Sequence, residues 1–364
     1  MSSNFGKIVH VSIFGQSHGE GIGVVMDGLP AGEKIDLDRV QAFMARRAPG
    51  GMQTTQRKEK DQVKILSGLV DGVTCGAPLC GVIENTDVKS ADYTALADVP
   101  RPMHADYPAY VRHKGFNDVR GGGHFSARLT APLCFAGAVC MQLLEKQGIA
   151  LFGHILSVGD VMDKPFDPMN EEAGALADLK KRIPPVLDEK AGEAMLRAIE
   201  NARNEGDSMG GSVELCVLGL PAGLGEPPFD GVENRLSQAL YAVPAIKAID
   251  FGAGRAAAFM HGSAHNDAFV MRDGAVKTAS NRHGGILGGL TTGMPLLLTC
   301  YFKPTPSIAR EQQSISLSRG ENVVLSVRGR HDPCVALRAV PCVEAAAAIA
   351  LYDLYLEAKA HGYE

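Results

Sequence analysis

The sequence predicts an α/β fold of the α+β kind, a single large domain of two pseudo-symmetric halves with sheets and helices packed in a layered sandwich. Three ordered echoes within the chain predict it. The pentapeptide Gly-Leu-Pro-Ala-Gly stands at 28–32 and again at 219–223, each time after a strand-like apolar run, 22–26 and 213–217. An amphipathic helical pattern follows each copy, over 38–44 and 232–240. The second echo sets Ile65-Leu66-Ser67-Gly68-Leu69 with 76–79 against Ile286-Leu287-Gly288-Gly289-Leu290 with 293–296. In the third, Val119-Arg120-Gly121 and Val327-Arg328-Gly329 each lead into an Ala-rich helix. The repeated unit spans roughly 1–150 and 205–360, with a solvated segment at 160–205, carrying a helix over 189–200, as the connection. That segment lacks the Gly/Ser or Pro repetition of a free spacer, and strands with one apolar face must share layers to hide it, so 1–364 reads as one domain.

Composition narrows the function. A chain of 364 residues with 45% apolar content can bury a large core, and its net charge of −5 argues against a nucleic-acid partner. The eight cysteines (75, 80, 134, 140, 216, 300, 334 and 342) never form Cys-x-x-Cys, so they read as buried thiols and no metal is expected. The polar opening 1–7 is no secretion leader, and the longest apolar stretch, 345–356, is interrupted by Asp353 and too short for a bilayer. A cytoplasmic protein with no membrane partner is expected.

Gly15-Gln16-Ser17-His18-Gly19 satisfies the Gly-x-Ser-x-Gly pattern of a hydrolase nucleophile elbow, but an elbow needs a strand before it and a helix after it. Here a strand over 7–14 leads through glycines at 19, 21 and 23 into a second strand. The loop is then a hairpin turn whose His18 either is merely exposed or approaches a ligand for proton transfer. Arg46-Arg47-Ala48-Pro49-Gly50 ends a helix, serving as a cationic cap or as an anion contact. Arg57 to Asp61 reads as a solvated charge run. The segments 101–107 and 120–128 gather His104, His124, Arg101, Arg120, Arg128 and a triple glycine, a composition suited to phosphate or carboxylate. Lys303-Pro304-Thr305-Pro306-Ser307 reads as a second anion-binding loop, and Asp332 before Pro333 as either a helix cap or a functional carboxylate.

Nine ordered blocks resemble the chorismate synthase family: 15–19, 46–50, 57–61, 104–107, 120–123, 206–211, 284–289, 303–307 and 329–334. The resemblance implies a lyase of the shikimate pathway to aromatic amino acids. It would remove phosphate from 5-enolpyruvylshikimate-3-phosphate by 1,4-anti elimination, with reduced FMN and no net redox change. It also implies His18 as proton donor to the departing phosphate, His104 as proton donor to the reduced flavin and Asp332 as base. The flavin contacts implied are His124, Phe125, Ser126, Pro244, Ala245, Gly288, Lys303, Pro304, Thr305, Pro306, Ser307 and Arg330. Substrate or NADP contacts would be Arg47, Gln53, Arg120, Arg128 and Arg338. NADPH or a separate flavin reductase would supply the reductant, and a homotetramer would be the assembly. The chain departs from the family pattern at Gln53, Asn117, His124, Phe125 and Leu129, which bears on phosphate contacts. Two rival readings are an inactive relative that only binds the anionic ligand, and another flavin enzyme; for the latter a Gly-x-Gly-x-x-Gly after a strand is lacking.

Overall fold

The computed structural model describes residues 3–48, 61–86, 98–169, 171–272, 274–327 and 332–363. Strands β1 (Asn4–Phe5), β2 (His10–Gly15) and β3 (Gly21–Asp27) open the chain, followed by helix α1 (Leu37–Arg47). Next come β4 (Lys64–Ser67), the small hairpin β5 (Leu69–Val70) and β6 (Val73–Thr74), β7 (Leu79–Glu84), and helices α2 (Asp106–Arg112) and α3 (Thr130–Glu145). The chain continues with β8 (Ala150–Val158), β9 (Val161–Met162), α4 (Ala173–Leu176), α5 (Glu189–Asn204), β10 (Gly211–Leu218), α6 (Val232–Leu240), β11 (Ile246–Phe251) and α7 (Gly262–His265). Hairpins β12 (Phe269–Arg272) with β13 (Ala275–Thr278) and β14 (Ile286–Leu287) with β15 (Leu290–Thr291) precede β16 (Leu296–Phe302). A last hairpin, β17 (Gln312–Ser316) with β18 (Glu321–Leu325), leads to helix α8 (Ala336–Ala360).

Two five-stranded antiparallel sheets run β1-β2-β3-β7-β4 and β11-β16-β10-β8-β9. Each carries the same inner order: a strand, the strand before the pentapeptide, the strand before the long helix, then the strand after the short helix. Helix α3 packs on β2, β3 and β7, α8 packs on β8 and β10, and the two helices pack on each other. A helical layer thus lies between the sheets, and buried side chains from both sheets join one core around it. Helices α3 and α8 are apolar enough to cross a membrane by length and composition, but 94% and 89% of their apolar windows are buried inside the protein.

The pentapeptide recurs because its turn has stringent requirements. Gly28 and Gly219 take φ of +84° and +82°, and a Cβ there would lie 1.9 Å from the Ile8 carbonyl oxygen and 2.1 Å from that of Gly148. Only glycine fits such a position. A threonine locks each turn. Thr74 Oγ1 donates to the Pro30 carbonyl at 2.6 Å and accepts from Glu33 N–H at 2.8 Å. Thr291 Oγ1 does the same for Pro221 and Leu224, at 2.6 and 2.9 Å.

Two expectations change. The second echo is slipped: hairpin β5–β6 corresponds to β14–β15, so Leu69-Val70, and not Ile65-Leu66, answers Ile286-Leu287. The slip arose because short apolar pairs recur in both segments. The stretch 160–205 is also no connection between halves, since it lies between β8 and β10 of one sheet. Its Phe166, Leu176 and Leu179 cover Phe152, Cys216 and Leu297, which form one row across the outer face of that sheet. His154 of β8 fastens it: Nδ1 lies 3.0 Å from Asp163 and Nε2 2.9 Å from Glu214, all three being buried. Burial disfavours the imidazolium, but the two carboxylates prevail and raise His154 above the ordinary histidine value.

Candidate active site

One end of the helical layer opens into a cavity of about 410 Å³, lined by the loop before α2, the turn before α3, the segments 243–245 and 302–307, and the first turns of α8. Among the described residues its wall carries five cations, Arg47, Arg101, Arg128, Lys303 and Arg338, against one carboxylate, Asp332. Such a surplus on a chain of net charge −5 marks a site for anions.

The arginines are held rigidly. Asp61, with a fully buried side chain, pairs with both Arg47 and Arg128. Burial opposes its charge, yet the two guanidiniums hold its carboxyl below the ordinary value. Arg47 also donates to Thr130 Oγ1 at 3.2 Å, and Arg128 Nε to Asn85 Oδ1 at 3.1 Å. Arg338 donates to the Arg47 carbonyl at 2.8 Å and pairs with Asp332 at 2.5 Å. Asp332 does not cap α8, which begins at Ala336 without a side-chain cap.

His104 stands on a second assembly. Arg101 grips Asp106 through Nε and Nη2, both at 2.8 Å, and His104 Nδ1 lies 2.6 Å from Asp106 Oδ1. A carboxylate only accepts, so Nδ1 carries the hydrogen; the 3.1 Å approach of Arg101 Nη2 to the same nitrogen brings two donors together and is no bond. Burial works against the Asp106 charge, but Arg101 and His104 hold it well below the usual carboxylate range. The opposite nitrogen, Nε2, lies towards Gly122, where a Cβ would come within 3.3 Å.

His18 is buried, with 5% exposure, at the turn between β2 and β3. Ser17 Oγ donates to the Arg120 carbonyl at 3.3 Å, so it accepts from His18 Nδ1 at 3.0 Å. The His18 ring lies behind Gly121, which does line the cavity: a Cβ on Gly121 would sit 2.0 Å from His18 Cε1. The hairpin 10–27 confirms that no helix follows Ser17.

Of the residues implied by resemblance, the cavity gathers Arg47, His104, Phe125, Ser126, Arg128, Pro244, Ala245, Lys303, Thr305, Pro306, Ser307, Asp332 and Arg338. Gln53 and Arg330 lie outside the described residues. Five others stand off the wall. His18 is behind Gly121, and Pro304 in the 303–307 loop is turned towards Gly210. Gly288 sits in the turn of the β14–β15 hairpin. His124 is turned away: Nδ1 lies 3.1 Å from the Gly15 carbonyl and Nε2 3.0 Å from Ser3 Oγ. Arg120 is half-exposed and folded back on Asp118. Sequence reasoning left Asp61, Thr130 and Cys342 out of the site, and it set Arg101 in an anion-binding segment without its grip on Asp106. Asp61 was hidden in a charge run, while Arg101 and Asp106 stood in a motif whose internal contacts no spacing reveals.

Ala245 holds φ of +77° at the wall while its carbonyl accepts from Lys303 N–H at 3.0 Å, a strained backbone of the kind found at ligand sites. His261 and His265 stand four apart around α7, yet no group of three metal-ligating side chains forms among the described residues.

A family description named Chorismate synthase matches residues 9–356. The chorismate synthase of Lancefieldella parvula is 44% identical over 364 residues, covering 97% of this chain and 96% of the relative. That of Korarchaeum cryptofilum is 43% identical over 96% of both chains, and that of Thermococcus kodakarensis 43% over 98% of both. A solved structure described as Crystal Structure of Chorismate Synthase superposes with a TM-score of 0.74 at 25% identity, over 97% of this chain and 93% of the other. Agreement of sequence and fold over nearly the whole length leads to one conclusion: the chain belongs to the chorismate synthase family.

Proposed function

We propose that this chain eliminates phosphate from 5-enolpyruvylshikimate-3-phosphate to give chorismate, with reduced FMN bound and no net oxidation. The observation that carries the reading is the cavity wall of five cations and one carboxylate. The substrate brings two carboxylates and a phosphate, and the cofactor a further phosphate, so the ligand pair matches that surplus. Bound reduced FMN would supply the reversible electron donation that loss of an unactivated hydrogen requires. The residues fit such a group: Thr305 Oγ1 and Arg47 Nε are buried in wall residues without a hydrogen-bond partner among the described residues. Lys303, lowered from the ordinary lysine value by burial and then by Lys247, would be drawn back towards that value beside a phosphate. Phe125, Met103, Pro244 and Val335 offer apolar surface to a planar ring.

In this reading Arg47 and Arg128, locked by Asp61, orient the anionic substrate. His104 holds its exchangeable proton at Nε2, since Asp106 keeps Nδ1 protonated. His18 delivers a proton to the departing phosphate oxygen at the Gly121 edge, with Ser17 fixing its ring. Asp332, held in place by Arg338, takes up a proton. Preorganised charge of this kind needs no rearrangement as the leaving group gains charge.

An anaerobic assay with photoreduced FMN and the enolpyruvyl phosphate substrate tests the reading. Phosphate and chorismate should appear in equal amounts, with no turnover on oxidised FMN. Absence of phosphate release from folded protein that still binds the substrate would instead favour a binding-only relative.

A further inference from the structure

At the cavity wall and just behind it stands a pair of thiols that the proposed elimination does not use. Cys342 of α8 lines the cavity, and Cys134 of α3 lies behind it, with Sγ to Sγ 3.9 Å; both are buried. They sit where the two helices nearly touch. One turn on in each helix, a Cβ added to Gly137 would lie 2.3 Å from Ala345 Cα. A disulfide needs its two Cβ atoms roughly 3.5–4.5 Å apart, a span that helices packed without an intervening side chain can meet.

We propose that Cys134 and Cys342 are a redox-modifiable dithiol, which a hydroperoxide entering the cavity converts to a disulfide across the α3–α8 crossing. The Cys342 thiolate attacks one peroxide oxygen, the O–O bond breaks, and the other oxygen leaves as water or an alcohol after taking a proton. The resulting sulfenic acid is then attacked by Cys134 sulfur, and its hydroxyl leaves as water with the Cys134 proton. The two thiols lose two electrons and two protons, and the hydroperoxide is reduced.

The surroundings assign the two roles. Cys134 S–H donates to Cys342 sulfur; that bond, with Arg47, Thr130 and Arg338 prevailing over burial, brings Cys342 down to about 7. When protonated, Cys342 turns its hydrogen to the Arg338 carbonyl, 3.4 Å away. Burial raises Cys134, which suits the resolving partner, and it raises Cys300 to about 12. Thiolate character with access through a cavity is what makes one buried thiol reactive among several.

The test uses the full chain carrying Cys75→Ser and Cys80→Ser, which removes the two less buried thiols. It is treated with hydrogen peroxide, denatured in an alkylating agent and mapped without reduction. One cross-linked peptide pair joining Cys134 to Cys342 is expected, lighter by two hydrogens and reversed by dithiothreitol. It should form roughly tenfold faster than any oxidation at Cys140, Cys216 or Cys300. Inorganic phosphate, by filling the cavity, should slow it. In Cys134→Ala the modification should stop at Cys342 as sulfenic and sulfinic acid. Recovery of both residues as alkylated thiols, or oxidation spread evenly over all the buried cysteines, overturns the proposal. Neither readout depends on turnover, so it stands or falls apart from the elimination chemistry.

Discussion

Gly121 separates His18 from the cavity, and its own geometry leaves no room for a side chain. With φ of +62° and a Cβ position 2.0 Å from the His18 ring, Gly121→Ala must push the imidazole aside. Turnover is expected to fall by about 10²–10⁴-fold, the value of general acid help, while anion binding at Arg47 persists. Steady-state kinetics beside substrate titration would separate these; a fully active variant removes His18 from the reaction. Asp106 makes a second case. An asparagine there can offer N–H to His104 Nδ1 and move the ring hydrogen to the other nitrogen, so Asp106→Asn should lose about 10²-fold or more in kcat with its fold intact. Near-UV circular dichroism with kinetics checks it, and a pH–rate profile identical to that of the unmodified protein would reduce Asp106 to a structural role. His18 could be read from the sequence because it stands in a glycine-rich turn, and His104 because it stands in a segment dense in histidine and arginine. Their fixed ring hydrogens could not, since Ser17 and Asp106 become partners only through loop conformation.

Secondary elements followed the pattern of the chain wherever one face was apolar. Helix α6 spans the expected 232–240, and α1 and α5 exceed their expected ranges by only a few residues at their ends. The pentapeptide was legible because glycine at positive φ cannot be replaced at the same place in either sheet. The covering of β8 and β10 was not legible, since 160–205 is rich in charge and its few apolar residues act over long distances. The His154 clasp there makes stability depend on pH. Because its folded value is raised above the unfolded one, near 6.5, the stabilisation is complete below that pH and is lost as pH rises through the folded value. Urea unfolding across neutral to alkaline pH should show this decline, and His154→Asn should abolish it at a cost of about 3–5 kcal/mol, since two buried carboxylates lose their cation. Parallel pH curves for both proteins would exclude the clasp as its source.

At the scale of the molecule, the cavity draws on residues from Arg47 to Cys342, so only the folded chain assembles it. Ligand binding and stability should be linked. Inorganic phosphate at about a hundredfold its dissociation constant would stabilise by about 2.7 kcal/mol, visible as a rise in melting temperature. In Asp61→Asn the guanidiniums of Arg47 and Arg128 face each other without their shared counter-ion. That variant should melt lower without ligand and recover more than the unmodified protein on adding phosphate. An equal response in both would mean that the anion binds elsewhere.

The closing helix has a consequence for how the protein is made. Helix α3 is apolar on nearly every side, and the partner that covers it, α8, is near the end of the chain. Asp353 of α8 also receives the backbone N–H groups of Lys7, Ile8 and Val9 and pairs with Arg235. A ribosome must therefore emit some two hundred residues during which α3 is waiting with a bare greasy flank. The nascent polypeptide at that stage is a natural client for holdase chaperones, and a message truncated before α8 should yield inclusion bodies and no folded fragment.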